Sequence, residues 1–315
     1  MSKTTERIEG ELGIPGLIAL LSERLSPTDL QSLLLEVYRA QAEKRSPAAV
    51  LADYESNRFV RPSTASPVRL AEWERIAFAS LPDGFEAVAL SPVSPLGTSS
   101  AVGLVDQNRV VSTIRNSEVV SDSTNVLALE CAVRRRKMLR ENPKSRESVH
   151  LAASHRLLRA QKYDNPNSIP HFSAFALCSA GRDTGNWQFE LETLAAHIGF
   201  YIRALRAFAG SDLKIKVAMT VMGQKLAVLQ AALAPLHRQF ETVEWAIDDE
   251  RTGGKDYYAD GLCFHLYAAA PAGAWLELVD GGAVDWTQKL LSSAKERCVI
   301  SGIGSERVCM EWTSM

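Results

Sequence analysis

Apolar positions near the start of the chain recur at three- and four-residue spacing, through Leu17, Leu20 and Leu21 and again through Leu30, Leu33, Leu34, Val37 and Tyr38. That is the period of a helix with one apolar face. Two helices are predicted there, the second opened by Ser26 as a cap ahead of Pro27, and a third short one is predicted over 47–54. The stretch 58–67, RFVRPSTASP, turns polar and proline-bearing and reads as a connector. We place a boundary near residue 65, giving an N-terminal helical segment (1–65) and a core (66–315). In the core, helices expected over 68–81, 125–138, 189–208 and 225–240 are mixed with β-like runs over 85–90, 101–104, 110–114, 171–178 and 262–269. The regular alternation of a doubly wound parallel sheet is missing, so an α+β fold is expected.

Composition narrows the function classes. The chain has 315 residues and 46% hydrophobic content, enough to bury a full core. Its 35 basic and 37 acidic residues produce no global field to hold nucleic acid or an anionic membrane. There is no run of roughly 20 apolar residues and no apolar stretch behind the polar start MSKTTERIEGE, so a cytoplasmic protein without a membrane partner is expected. Five scattered cysteines without C-x-x-C spacing read as reduced, buried thiols. The six histidines lack ligand spacing, and no metal site is expected.

Candidate chemistry begins with residues 299–308, VISGIGSERV. Glycines beside an arginine let backbone approach a ligand while the guanidinium of Arg307 forks onto phosphate. The same glycines would equally let a strand pack on a helix, with Arg307 at the surface. Residues 94–100, SPLGTSS, offer either a phosphate cradle of N–H groups or an ordinary turn. Asp122 or Thr124 would cap the following helix. Glu190 and Glu192 open another helix, where carboxylates suit its dipole. Arg134 to Lys137 form a basic run that reads as a solvated helix end or a phosphate contact.

Taken together, in order and spacing over roughly residues 68–312, these stretches resemble the class II aminoacyl-tRNA synthetases. The nearest branch is histidyl-tRNA synthetase and its paralogue, the regulatory subunit of ATP phosphoribosyltransferase. FEAVALSP at 85–92 resembles motif 1, the dimer-forming element, and a homodimer is implied. Leu158-Arg159-Ala160-Gln161, followed by His171-Phe172, resembles motif 2, which implies that Arg159 grips the α-phosphate of ATP and that Phe172 stacks on adenine. Gln161 stands where the family has glutamate, keeping a hydrogen-bonding side chain but no charge. SDST at 121–124 resembles the segment whose acid and threonine contact the substrate amine, which implies those roles for Asp122 and Thr124. DYYADGLCFHLY from Asp256 resembles the histidyl-type pocket segment and implies that Tyr257 and Tyr258 line the amino-acid site. Gly253 stands at the family's catalytic arginine, with Arg251 and Lys255 nearby to supply a cation. DGGAVDWTQKL from Asp280 resembles the segment ahead of motif 3, with Ala283 at a family arginine, and VISGIGSERV resembles motif 3 itself, with Arg307 at the phosphate-binding arginine.

The resemblance implies an antiparallel sheet flanked by helices, ATP (with Mg²⁺) as cofactor, and activation of an amino acid or similar small carboxylate as an adenylate. Ala174 and Cys178 fall where the family reads a histidine ring, so histidine is not the expected substrate. The chain ends a few residues past motif 3, which leads us to expect no anticodon-binding domain and no charging of whole tRNA. The alternative expectation is a non-catalytic paralogue that binds a small ligand and regulates a partner enzyme, suggested by Gln161, Gly253 and Ala283.

Overall fold

A computed structural model describes residues 2–161, 170–221, 226–248, 251 and 257–312. Four helices come first: α1 (Lys3–Leu12), the single turn α2 (Leu17–Ala19), which runs into a π-helical turn over Leu20–Arg24, α3 (Pro27–Ala42) and α4 (Pro47–Ser56). Ser26 and Ser46 cap α3 and α4, each accepting from the backbone N–H three residues on, with proline in the first turn. The polar start conceals α1, which is capped by Ser2 and closed by Gly13 at φ +67°. Leu12, Val37, Tyr38 and Leu51 stay exposed on these helices.

The core begins with α5 (Pro67–Ala79), then β1 (Phe85–Ala87), β2 (Val93–Pro95), α6 (Thr98–Ala101), β3 (Ser117–Val119) and α7 (Ser123–Glu141). There follow β4 (Val149–Leu158), β5 (His171–Arg182), α8 (Gln188–Ala209), β6 (Ile215–Thr220), α9 (Leu226–Gln239), β7 (Glu244–Ile247), β8 (Cys263–Ala269), β9 (Trp275–Val284), α10 (Trp286–Leu291), β10 (Glu296–Gly304) and α11 (Ser305–Glu311). Among the described residues, one eight-stranded sheet runs in the order β1-β4-β5-β10-β9-β8-β6-β7, antiparallel except at its two outer pairs. The expected α+β class therefore holds. Two expected strands do not form. The run 101–104 ends a helical turn, and 110–114 contributes only an isolated bridge, Ser112 to Glu118. The small β2–β3 ribbon takes their place.

The long strands sort their side chains by parity. On β5, Phe175 and Leu177 face a layer made by α5, α8 and α9, where Trp73, Ile198, Phe200 and Tyr201 are fully buried. Each such side chain contributes about 2–3 kcal/mol by leaving water. Trp73 also donates its indole N–H to Ser305 Oγ at 3.0 Å, tying α5 to α11. The opposite parity carries Ala174, Ala176, Cys178 and Ala180, which pack with α7 and the residues around Tyr258. All five cysteines are free and buried. No helix among the described residues is long and apolar enough to cross a membrane.

The basic run departs from the expected solvated end. Arg134 pairs with Glu86 and Glu130, while Arg135 is fully buried in a forked pair with Glu296 at 2.9 and 3.0 Å. Position on the helix decides this, because Arg135 falls on the face that α7 turns toward the sheet. The stretch 94–100 is an ordinary turn that fills itself. Its N–H groups at Gly97 and Ser99 donate to the Glu118 carboxylate at 2.8 and 2.7 Å. Burial opposes ionisation of Glu118, but hydrogen bonds from Gln107, Ser99 and Gly97 outweigh it and hold its pKa below the usual range.

Candidate functional site

The register of the sheet places the candidate residues. Cα partners in antiparallel strands share a face, and the pairs Gly304 with Ala174, Gly302 with Ala176, Asp280 with Gly302, and His265 with Asp280 link four strands. Phe172, two residues before Ala174, belongs to the same face. The middle of this face is therefore floored by alanine and glycine, with larger polar and aromatic groups on either side.

On one side, Arg159 follows the end of β4 and continues its pairing, its N–H donating to Pro170 O at 2.8 Å. Its guanidinium sits over the Phe172 ring, 5.2 Å from the centroid, and its Nε donates to Ser121 O at 3.0 Å. One carboxylate oxygen of Asp122 caps α7, accepting from Thr124 N–H at 2.9 Å and Thr124 Oγ1 at 2.8 Å. Its second oxygen faces Arg159 Nη2 at 3.5 Å. Asp122 therefore caps the helix through one oxygen, while the other is held toward Arg159. Gln161 follows, half-buried, with its N–H donating to Arg159 O.

On the other side stand Tyr257 and Tyr258, edge to face at 5.1 Å, with Trp286 against Tyr257 at 5.6 Å. Gly282 makes room for this layer: a Cβ there would come within 2.5 Å of both Leu262 O and Tyr258 Cδ1. Burial raises the Tyr257 phenol above its ordinary range, the carboxylates of Asp122 and Asp280 add to the rise, and Arg159 opposes it. That phenol therefore feels both sides of the cleft. Burial likewise raises Tyr258, assisted by Asp280.

Arg251, Asp280 and His265 form a further polar group that spacing along the chain does not single out. Arg251 is buried, donates to Asp280 Oδ1 at 2.9 Å and lies over the Tyr258 ring at 5.5 Å. His265 Nε2 lies 3.5 Å from Asp280 and 3.7 Å from Glu277, because a bulge at Leu266/Tyr267 brings those two carboxylates together. The available signal was Asp280 directly ahead of Gly281-Gly282, a charged residue where a strand must lie against a packed layer. Gly253, Lys255 and Asp256, together with residues 162–169, lie outside the described residues. Ala283 belongs to the core beneath the sheet, so this position presents nothing to the cleft.

Arg307 sits exposed in the first turn of α11, past the end of β10. Its Nη1 donates to Glu277 O at 2.8 Å, and its Cβ is 3.8 Å from where a Cβ on Gly304 would lie. Glu190 supports the opposite end of the sheet: buried, it pairs with Arg297 at 2.9 Å, and burial raises its pKa. Its role is therefore more than dipole stabilisation.

Similar arrangements occur in solved structures. An ATP phosphoribosyltransferase regulatory subunit/histidyl-tRNA synthetase from Bacillus halodurans C matches with a TM-score of 0.61 and 11% identity, over 81% of this chain and 83% of that one. The apo histidyl-tRNA synthetase of S. aureus matches with a TM-score of 0.54 and 13% identity, over 78% of this chain and 66% of that one. This chain has the class II synthetase catalytic fold. A structure titled as the RNA binding domain of threonyl-tRNA synthetase from Cryptosporidium parvum Iowa II shares it, with a TM-score of 0.56 and 10% identity, over 78% of this chain and 64% of that one. The chain thus spans about two thirds of the histidyl and threonyl chains. No family model and no curated protein matches it. At these identities the likeness to the class II fold is one of architecture, and the chemistry has to be argued from the residues in the cleft.

Proposed function

We propose that the core, residues 66–315, binds ATP and activates an amino acid or similar small carboxylate as an adenylate. The observation that carries this is the meeting of Arg159, Phe172 and Asp122 beside a floor of Ala174, Ala176, Gly302 and Gly304, with Tyr257 packed against the cluster that includes Ala176. An aromatic face beside guanidinium groups, with no bulky side chain between, suits a planar base and its phosphates. Phe172 would stack on adenine, with Gln161 as an uncharged hydrogen-bonding neighbour, and Arg159 and Arg307 would hold phosphate charge, with Mg²⁺ as counter-ion. The Asp122 oxygen that faces Arg159 at 3.5 Å, with Thr124, Tyr257 and Tyr258, would take the substrate ammonium. Orientation and fixed positive charge are the chemistry these residues supply. The test is pyrophosphate–ATP exchange across all amino acids and related acids. Exchange with one acid supports the reading, and background exchange with every one refutes it.

A second reading, a non-catalytic relative that binds a small ligand and regulates a partner enzyme or acceptor protein, has its own support. Asp280 already holds Arg251, one of the two cations that flank Gly253 in sequence, and Gln161 carries no charge. Ligand binding without ATP and co-purification with a partner would favour it. In either reading we propose a homodimer. The groove lined by Val88, Leu90, Val126, Leu129 and Val133 adjoins the stretch that resembles motif 1, and a second copy would cover it. The N-terminal segment, residues 1–65, would stand outside the core.

A further inference from the structure

At the end of the sheet opposite Arg159 and Phe172, the start of β10, the end of β5 and the loop before β4 border an open surface cavity of about 410 Å³, at which Lys144, Arg146 and Lys295 are exposed. Its walls carry Lys144, Arg146, Arg182 and Lys295, with Asp183 and Gly185. Among the described residues none of the four cations forms an ion pair, although Arg182 donates to Pro143 O at 3.1 Å. The one carboxylate, Asp183, is already neutralised by Arg297 at 2.6 Å and turned into its own loop by the Gly185 N–H. In a chain whose total charge is only −2, this concentrates positive charge in a concave site of small-molecule size.

The cavity is also braced. Arg135 and Glu296 are both fully buried, an arrangement that is weak evidence for stability, because desolvation offsets most of the attraction. Beyond Glu296, Arg135 donates to the carbonyls of Glu147 and Ser145. The first carbonyl follows Arg146, and the second lies between Lys144 and Arg146. Glu296 adjoins Lys295, whose own carbonyl accepts from Asp183 N–H at 2.8 Å. One buried pair thus fixes the two loops that carry three of the four cations. A pair of this kind positions charged groups in advance of a ligand.

We propose that this cavity binds a small polyphosphate anion, one with at least two linked phosphate groups, either free or carried on a nucleotide. Several separate cations around one concave space suit linked phosphates better than a single carboxylate, since each phosphate can meet its own partner. The site is independent of the ATP reading of the cleft.

The experiment is calorimetric titration of the full chain at low salt with inorganic tripolyphosphate, and separately with ATP. It is repeated on a cleft variant, Arg159→Ala with Arg307→Ala, and on a cavity variant, Lys144→Ala with Arg146→Ala and Lys295→Ala. The expected result is tripolyphosphate binding in the wild type and the cleft variant, weakened roughly tenfold or more in the cavity variant. If ATP also binds the cleft variant, the polyphosphate is nucleotide-borne; if not, it is free, and both outcomes support the site. A melting curve checks the cavity variant's fold, and Lys295→Glu alone gives a second, single-site reading. Absent tripolyphosphate binding, binding indifferent to the cavity substitutions, or cavity-dependent binding of an RNA oligonucleotide without tripolyphosphate binding would each overturn the proposal.

Discussion

Removing one member of the Arg135–Glu296 pair leaves an uncompensated charge in a site with no exposure to water. Glu296→Leu strands the guanidinium with only the Ser145 and Glu147 carbonyls, and Arg135→Met strands the carboxylate. Each single change is expected to cost about 3–5 kcal/mol. In the double variant, Arg135→Met with Glu296→Leu, no charge remains, and the main loss is at the two carbonyls that accepted from Arg135. At about 1–3 kcal/mol per orphaned acceptor, partly offset by relief of the desolvation of two ions, the net cost is about 2 kcal/mol. The double variant should therefore be more stable than either single one. Urea unfolding of the four proteins measures this directly. Additive costs, or singles within about 1 kcal/mol of wild type, would refute the reasoning. If the pair positions the cationic loops, the double variant also loses affinity for tripolyphosphate although it stays folded.

Beneath the cleft floor, His197 is fully buried between Ser179 Oγ at 3.0 Å and Ser301 Oγ at 2.8 Å, with His150 and Tyr201 extending the chain. Burial, helped by His150, lowers the His197 pKa to about 3. The unfolded chain therefore binds a proton between pH 6.5 and 3 that the folded one does not. This contribution is full above about pH 6.5, and stability falls below it by about 1.4 kcal/mol per pH unit. Urea midpoints from pH 7.5 to 5 should show this slope, and a flat profile would contradict the burial argument. Phe172→Ala should weaken ATP binding roughly tenfold, the scale of base–aromatic stacking, with calorimetry as the check and unchanged affinity as the contrary result. Asp122→Ala should lose about 1 kcal/mol of helix capping. Asp122→Asn should keep most of that while both variants lose affinity for an amine-bearing substrate, so equal unfolding midpoints for the two would show that the cap is unimportant. Gly282→Ala should destabilise by about 1–3 kcal/mol, because its Cβ has no space beside Tyr258 and Leu262; a melting temperature equal to wild type would exclude this.

Local pattern was enough to locate α3, α4, α5, α7 and α8, since capping serines, prolines at first turns and a 3.6-residue apolar period act within a few residues. Strands with both faces buried, such as β4, β6 and β10, were hard to read for the opposite reason. Small and apolar residues fall on both of their parities, interrupted by charged or histidine residues such as His150, Lys216 and Glu296, so no clean alternation marks them. The ordered stretches also made Arg159, Phe172, Asp122, Tyr257 and Arg307 candidates, but spacing along a chain carries no information on which face of a sheet a side chain occupies. That depended on register: a shift of one residue between β5 and β10 would send Gly302 and Gly304 into the α8 core. Register likewise paired Asp280 with His265, seated Arg251 on Asp280 and left Ala283 facing away. The same holds for the partners of Arg135. The sequence by itself determined where helices start and which residue types carry charge. Tertiary packing decided which charges meet, because residues as far apart as 135 and 296 become neighbours only when the sheet closes.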